Sequence, residues 1–216
     1  MSRIILDLCG GTGSWSKPYA DAGYEVIVIT LPVFDVTQVE FDDYGMEFIK
    51  QGLHHETLFV PYCDVHGILA APPCTEFSIA KSNKPRDFAG AMEIVLACFQ
   101  IIWNCRIMGN LKFWAMENPV GFLRQFIGIP SYQFEHWEFG DQQIKRTDLW
   151  GYFKPPRKTV ANRPENLTIK FASRINGRGW SKPACPTEYR HLRLDRAAVR
   201  AITPPGFAKA FFKANK

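Results

Sequence analysis

The chain has 216 residues, 46% hydrophobic and 22% charged, with a net charge of +5, which bounds it to one domain of ordinary globular composition with its own core. Its six cysteines (9, 63, 74, 98, 105, 185) form no C-x-x-C pair, which argues against a zinc ribbon or a disulfide framework and for a reducing, cytoplasmic setting. No apolar run is read as approaching the ~20 residues of a membrane helix, and "MSRIILDLC" enters a strand almost at once, so neither a membrane span nor a leader is expected.

In chain order, "RIILDLC" (3–9) reads as a compact apolar strand broken by "GGTGS". "SWSKPYADAG" is a short helix ending at Gly23, and "YEVIVIT" (24–30) a second, β-branched strand. Residues 36–62 are acidic and mixed, without an assignable pattern. "GILAA" (67–71) is a third strand, short and apolar as a buried parallel strand should be. From Asp87, the positions Ile94, Val95, Cys98, Ile101, Ile102, Cys105 and Met108 follow helical spacing until Gly109-Asn110. Cys98 and Cys105 on that stripe read as core. Strands are expected at "LKFWAM" (111–116), "FEHWEFG" (134–140) and "TDLWGYF" (147–153), and two short helices at "LDRAAVRAI" and "GFAKAFFKAN". The alternation predicts an α/β fold with an open, mostly parallel sheet flanked by helices. The division expected is an α/β core over 1–153, a short basic segment over 154–190, and C-terminal helices over 191–216 that pack back on the core.

Charge divides along the same line. Residues 1–144 carry 9 Lys/Arg against 17 Asp/Glu, whereas 145–216 carry 17 against 4, so the balance moves from −8 to +13. Such asymmetry predicts a polyanion-binding face built mainly from the C-terminal third.

In an open α/β sheet, ligands gather at the carboxyl ends of the strands. The chemically notable stretches all fall there: "DLCGGTG" after the first strand, "APPCTEFS" after the third and "ENPVG" after the fourth. The glycine run lacks a P-loop lysine and GxGxxG spacing, so alone it marks only a tight turn. Pro-Pro-Cys and Glu-Asn-Pro are, singly, more often loop punctuation than active sites. Pro-Pro also marks amino-group methyltransferases, but these carry an acid, Asn or Ser before it and an aromatic after it. Here Ala71 precedes and Cys74 follows.

Taken in order, "DLCGGTG", "APPCTEFS", "ENPVG", "EFGDQQIKRTDLWG" and "AITPPGFAKAFF" resemble the motifs of the DNA cytosine carbon-5 methyltransferases, closest to small phage- and prophage-type members. The resemblance covers most of the chain apart from 36–62 and 154–187. It implies a Rossmann-like methyltransferase fold with S-adenosylmethionine as methyl donor and DNA as partner, the cytosine flipped from a duplex or single-stranded. Cys74 would be the thiol that adds to cytosine carbon-6, and Glu117 the acid at ring nitrogen 3, with Asn118 holding it. The cofactor would be held by Asp7, Cys9, Gly10, Gly11, Thr12, Gly13 and Ser14, by Thr30, Asp35 and Val36, and by Pro73 and Thr203. Ser78 and Gln143 would face the nucleic acid.

The pattern departs from the family at four points. Cys9 stands where phenylalanine is usual beside the adenine. Strand two ends without a ribose-binding acid, so Thr30 takes that place while Asp35 matches the adenine-contacting acid. Gln143 and Lys145 match the first two positions of Q-x-R-x-R, but Thr147 occupies the last, leaving Arg146 to supply charge at the cytosine carbonyl. The target-recognition region is cut down to 154–190, where Arg157, Lys158, Arg174, Arg178 and Lys182 are the phosphate contacts expected and Trp180 a stacking residue. Recognition is then brief, degenerate or completed by a protein partner, and the enzyme a monomer. Carbon-5 modification of pyrimidines in RNA or a free nucleotide, or a catalytically weak nucleic-acid-binding homologue, are the alternatives.

Overall fold

The computed structural model describes residues 3–52, 56–81, 84–141, 144–165, 167 and 185–216. Strand β1 (Ile4–Leu8) is buried at every position and pairs in parallel with β2 (Glu25–Ile29), reached through the short helix α1 (Lys17–Asp21). The segment without a legible pattern folds as a second, antiparallel sheet: β3 (Phe34–Phe41), β4 (Gly45–Lys50) and β5 (Thr57–Pro61). A register break between Phe34 and Val39 interrupts the alternation on β3 that would have announced a strand. Even so, Val36, Met46, Phe48 and Val60 all turn inward.

Strand β6 (Val65–Ala70) returns beside β1, in parallel. Helix α2 (Phe88–Met108) starts at Asp87, whose carboxylate accepts the Gly90 N–H at 2.9 Å. Strand β7 (Phe113–Pro119) pairs in parallel with β6, followed by helix α3 (Leu123–Ile127), β8 (Tyr132–Glu135) and β9 (Arg146–Tyr152). Helices α4 (Arg196–Ala201) and α5 (Pro205–Ala214) close the chain.

The main sheet has the order β2-β1-β6-β7-β9-β8, with β9 antiparallel to both neighbours and the other pairings parallel. It is thus a mixed α/β architecture around a mostly parallel sheet. The expected strand over 134–140 is shorter. Glu135 and Glu138 form a capping box, with the Glu138 carboxylate accepting the Glu135 N–H at 2.8 Å, and this turns residues 136–139 into a 3-10 turn.

Helices lie on both faces. On one, α2 and the small sheet pack over Leu6, Leu8, Ile68 and Met116. On the other, α1 and α5 cover Ile5, Leu69 and Ala115, with Phe207 stacked on Phe134 at 4.2 Å. Helix α2 corrects the reading that no apolar run reaches membrane length: its 21 residues are long and apolar enough for a span. Glu93, Gln100 and Arg106 punctuate the run, and Val95, Cys98, Ile101, Ile102 and Cys105 are buried against the sheet.

The chain leaves β1 toward β2 on one side and then crosses to β6 on the other. Loops from adjacent strands therefore diverge at the carboxyl ends of β1 and β6, which opens a crevice there.

Candidate active site

One wall of the crevice is the turn after β1. Cys9, Gly11 and Gly13 all have positive φ (56°, 55° and 67°), a left-handed run that a side chain tolerates poorly. Gly10 is required for space, because a Cβ there would lie 2.3 Å from the Asp7 carboxyl carbon. Gly11 faces the opposite way, with nothing within 4 Å of an added Cβ, so the backbone presents an open cradle. Beneath it Asp7 is fully buried and accepts the Ser16 hydroxyl at 2.6 Å on one oxygen, while Oδ1 has no partner among the described residues. Burial pushes this carboxyl up to about 6, against the opposing Ser16 hydrogen bonds.

Cys9 has a structural reason to differ from an aromatic. It packs against the core cluster that holds Cys98 of α2, and the neighbouring Cys9 thiol, with burial, pushes the Cys98 thiol well up. The turn is thereby tied to the core helix. Ser14, also buried, accepts the Thr203 N–H at 2.8 Å, so the C-terminal segment closes over the same turn. Thr12 lies within the turn, and Thr30 accepts the N–H groups of Val33 and Phe34 through its carbonyl at the end of β2. Asp35 opens β3, half-buried, with Oδ1 accepting from both the N–H and the hydroxyl of Thr37; Val36 beside it is buried.

The other wall is built from the β6 and β7 loops. Asn118, fully buried, donates to the Pro72 carbonyl at 2.9 Å and so fixes one loop to the other. Phe77 is buried completely, its N–H and that of Ser78 bond back to the Cys74 carbonyl (3.1 and 2.8 Å), and its own carbonyl accepts the Phe122 N–H. A bridge joins Ser78 to Gly121, where any Cβ would strike the Phe77 oxygen. The Pro72-Pro73-Cys74 turn is thus held from both ends, with Pro73 exposed and Cys74 half-buried.

Glu117 stands on β7 opposite Leu149 of β9, and Lys145, just before β9, places its ammonium 3.6 Å from the Glu117 carboxylate. Among the described residues, these two groups and Arg200 of α4 are the charges that act on Cys74. Burial pushes the thiol up; Lys145 pulls it down, Glu117 pushes it up, and Arg200 pulls it down. The fold therefore brings together Cys74, Glu117, Asn118 and Lys145 from three strand ends.

Arg146 points elsewhere, its side chain largely exposed and paired with Glu135 at 3.1 Å. Thr147, at the position of the missing arginine, is buried against His136, 3.1 Å from its Nε2. Burial first and Lys145 second hold His136 well below its usual range, hence neutral. Arg200 is the site residue that sequence reasoning missed. Its one signal was its place in the basic C-terminal third, since no motif contains it. Of the expected nucleic-acid contacts, Arg157 is exposed, and Lys158 reaches Glu138 at 2.5 Å. Gln143, Arg174, Arg178, Trp180 and Lys182 lie outside the described residues.

No known protein-family model matches the chain. Among curated proteins it is similar to the Type II methyltransferase M.DdeI of Desulfomicrobium norvegicum (strain DSM 1741 / NCIMB 8310), with 26% identity over 123 residues that make up 55% of this chain and 28% of the relative. The chain therefore matches under a third of that relative's length, and the similarity is to a methyltransferase.

Proposed function

We propose that this chain is an S-adenosylmethionine-dependent methyltransferase of the Rossmann-like class that methylates carbon-5 of cytosine in DNA through a covalent Cys74 adduct. The observation that carries the reading is the convergence of a thiol, a carboxylate and an ammonium at the mouth of a glycine-lined crevice. Cys74, Glu117 and Lys145 are each delivered by a separate strand end and coupled electrostatically. The similarity to a Type II methyltransferase supports the same reading.

The residues fit the methyl donor. Gly11 leaves an open cradle, Asp7 has beneath it a buried oxygen unpartnered among the described residues, and Asp35 and Thr30 stand at the next strand end. Thr203 comes against the same turn through Ser14. When bound, S-adenosylmethionine supplies an electrophilic methyl group. The protein's task is to make cytosine carbon-5 nucleophilic. The Cys74 thiolate adds to carbon-6, and the π electrons of the carbon-5–carbon-6 bond move into the ring toward nitrogen 3. Glu117 hydrogen bonds that nitrogen and shares a proton with it as charge accumulates. Lys145 favours the Cys74 thiolate over the thiol and pairs with Glu117. Asn118 holds the nucleophile's loop by its bond to Pro72, so the thiol needs no reordering when the base arrives. Once the methyl group is in place, loss of the carbon-5 proton and elimination at carbon-6 return Cys74.

Incubation of the protein and S-adenosylmethionine with 5-fluorocytosine DNA tests this directly. Fluorine cannot leave as a proton does, so a covalent complex that survives denaturation should accumulate with the wild type and not with Cys74→Ser. Absence of the complex, together with no 5-methylcytosine by nucleoside mass spectrometry, would overturn the proposal.

A further inference from the structure

The chain that follows Cys74 closes on itself before it enters α2. Both oxygens of the Glu76 carboxylate accept the Lys81 ammonium, Oε1 at 2.6 Å, and Oε2 also accepts the Asp87 N–H at 2.9 Å. The Lys81 and Glu76 side chains are only 20% and 19% exposed, so the pair is enclosed rather than a loose surface contact. Arg86 closes the ring from the other side. One guanidinium nitrogen donates to the Glu76 carbonyl and the second to the Lys81 carbonyl. Its central carbon lies 4.7 Å from the ring centre of Phe122 and 5.9 Å from that of Phe88.

We propose that Glu76 and Arg86 are positioning residues for Cys74, closing the stretch from Glu76 to Asp87 into a clip that fixes the thiol before any base arrives. The link to the thiol is short. Phe77, next to Glu76, is buried, stacks on Phe88 at 6.1 Å and accepts the Phe122 N–H at 2.8 Å. Its own N–H and that of Ser78 bond to the Cys74 carbonyl. At the far end Asp87 caps α2 through the Gly90 N–H, and α2 is anchored by its buried Val95 and Cys98. The clip thus carries the rigidity of the core helix to the nucleophile. Asn118 fixes the loop upstream, at Pro72, and the clip fixes it downstream, with Cys74 held between them. The geometry asks for arginine and not simply for a cation. A guanidinium presents its N–H groups in a fixed fork and reaches two carbonyls at once, whereas an ammonium is a single point of charge on a flexible stem. The effect of the clip on methyl transfer rests on the proposed reaction; its effect on the thiol does not.

Two measurements should move in opposite directions. Glu76→Ala, Arg86→Ala and Arg86→Lys should each speed iodoacetamide alkylation of Cys74, followed by peptide mass spectrometry, by ~3-fold or more. A loosened loop exposes the thiol and relieves the burial that holds it protonated. The same variants should lower kcat for methyl transfer to duplex DNA by ~10-fold or more with KM for DNA unchanged, since a misplaced nucleophile loses reaction geometry and not binding. The buried Cys98 and Cys105 should stay unlabelled and the melt cooperative. Glu76→Ala truncates a side chain at the surface of the loop, so it still decides should Arg86→Ala unfold. Wild-type alkylation and kcat in Glu76→Ala overturn the proposal, as does full rescue by Arg86→Lys, which keeps the charge and loses the fork. Labelling of Cys98 and Cys105 along with Cys74 in all three variants also overturns it, assigning these residues to folding alone. Alkylation needs neither DNA nor methyl donor, which separates the two readings. Faster alkylation in the variants of a chain that transfers no methyl group supports the clip and refutes the proposed reaction. Unchanged alkylation beside an active wild type refutes the clip and leaves the reaction standing.

Discussion

Replacing Asp7 by Asn isolates one buried charge. The carboxyl sits under the glycine turn with no solvent contact, and burial carries it from 3.8 to about 6. Its folded pKa is raised, so its stabilising contribution is complete below 3.8 and is lost as pH rises through 6. Linkage with those two values makes the ionised form cost roughly 2.5 kcal/mol more at pH 7 than at pH 4, at 1.36 kcal/mol per unit. For a chain of 216 residues that is about 5 °C in Tm at ~2.1 cal/mol/K per residue. The asparagine keeps an acceptor for the Ser16 hydroxyl and cannot ionise. Other carboxylates act in the opposite sense: Glu76 and Glu135 are held below their usual range and lose stability on acidification. The informative quantity is therefore the difference between variant and wild type, read from urea or thermal unfolding at pH 4 to pH 7.5. That difference should move in the variant's favour by roughly 2.5 kcal/mol as pH rises. A difference that stays flat with pH would refute the placement of Asp7 as a buried, ionising group.

Lys145→Ala should slow alkylation of Cys74 by iodoacetamide and move its pH profile upward, since the cation that offsets burial is gone; Cys74→Ser identifies the residue followed. Glu117→Gln should lower methyl transfer by ~10²-fold or more, as an amide hydrogen bonds the ring nitrogen but shares no proton with it. Gly11→Val should weaken S-adenosylhomocysteine binding in calorimetry with a cooperative melt retained, because a β-branched residue at φ 55° strains the cradle without a clash. Neutralising Arg157 should reduce the slope of log affinity for duplex DNA against log salt by about 0.9 if it touches a phosphate. Neutralising Lys158 should do less, because that ammonium is paired with Glu138.

What was readable from residue order is what local chemistry dictates. The apolar runs of β1, β2, β6 and β7 and the glycine and Pro-Pro-Cys turns are short-range signals that lie at the strand ends where they were expected, whereas Glu-Asn-Pro, expected as the turn after β7, forms its last three residues, because pairing with β9 carries the strand on through Pro119. The long helix from Asp87 was legible for the same reason: a cap, a 3.6-residue period and a glycine stop are all written within 23 residues. The antiparallel β3–β5 sheet was not, because its bulge breaks the alternation and its acids mask the apolar face, so only pairing between strands reveals it. The reversal of β9 between β7 and β8 likewise depends on partners distant in sequence. At the site, the order of motifs named Cys74, Glu117 and Lys145. Which cations act on the thiol was decided by packing: Arg146 turns out to Glu135, Thr147 inward to His136, and Arg200 arrives from a helix more than a hundred residues away. Sequence carries what a residue can do by itself, but the charge a thiol feels falls off with distance in space, and only the closed fold sets those distances.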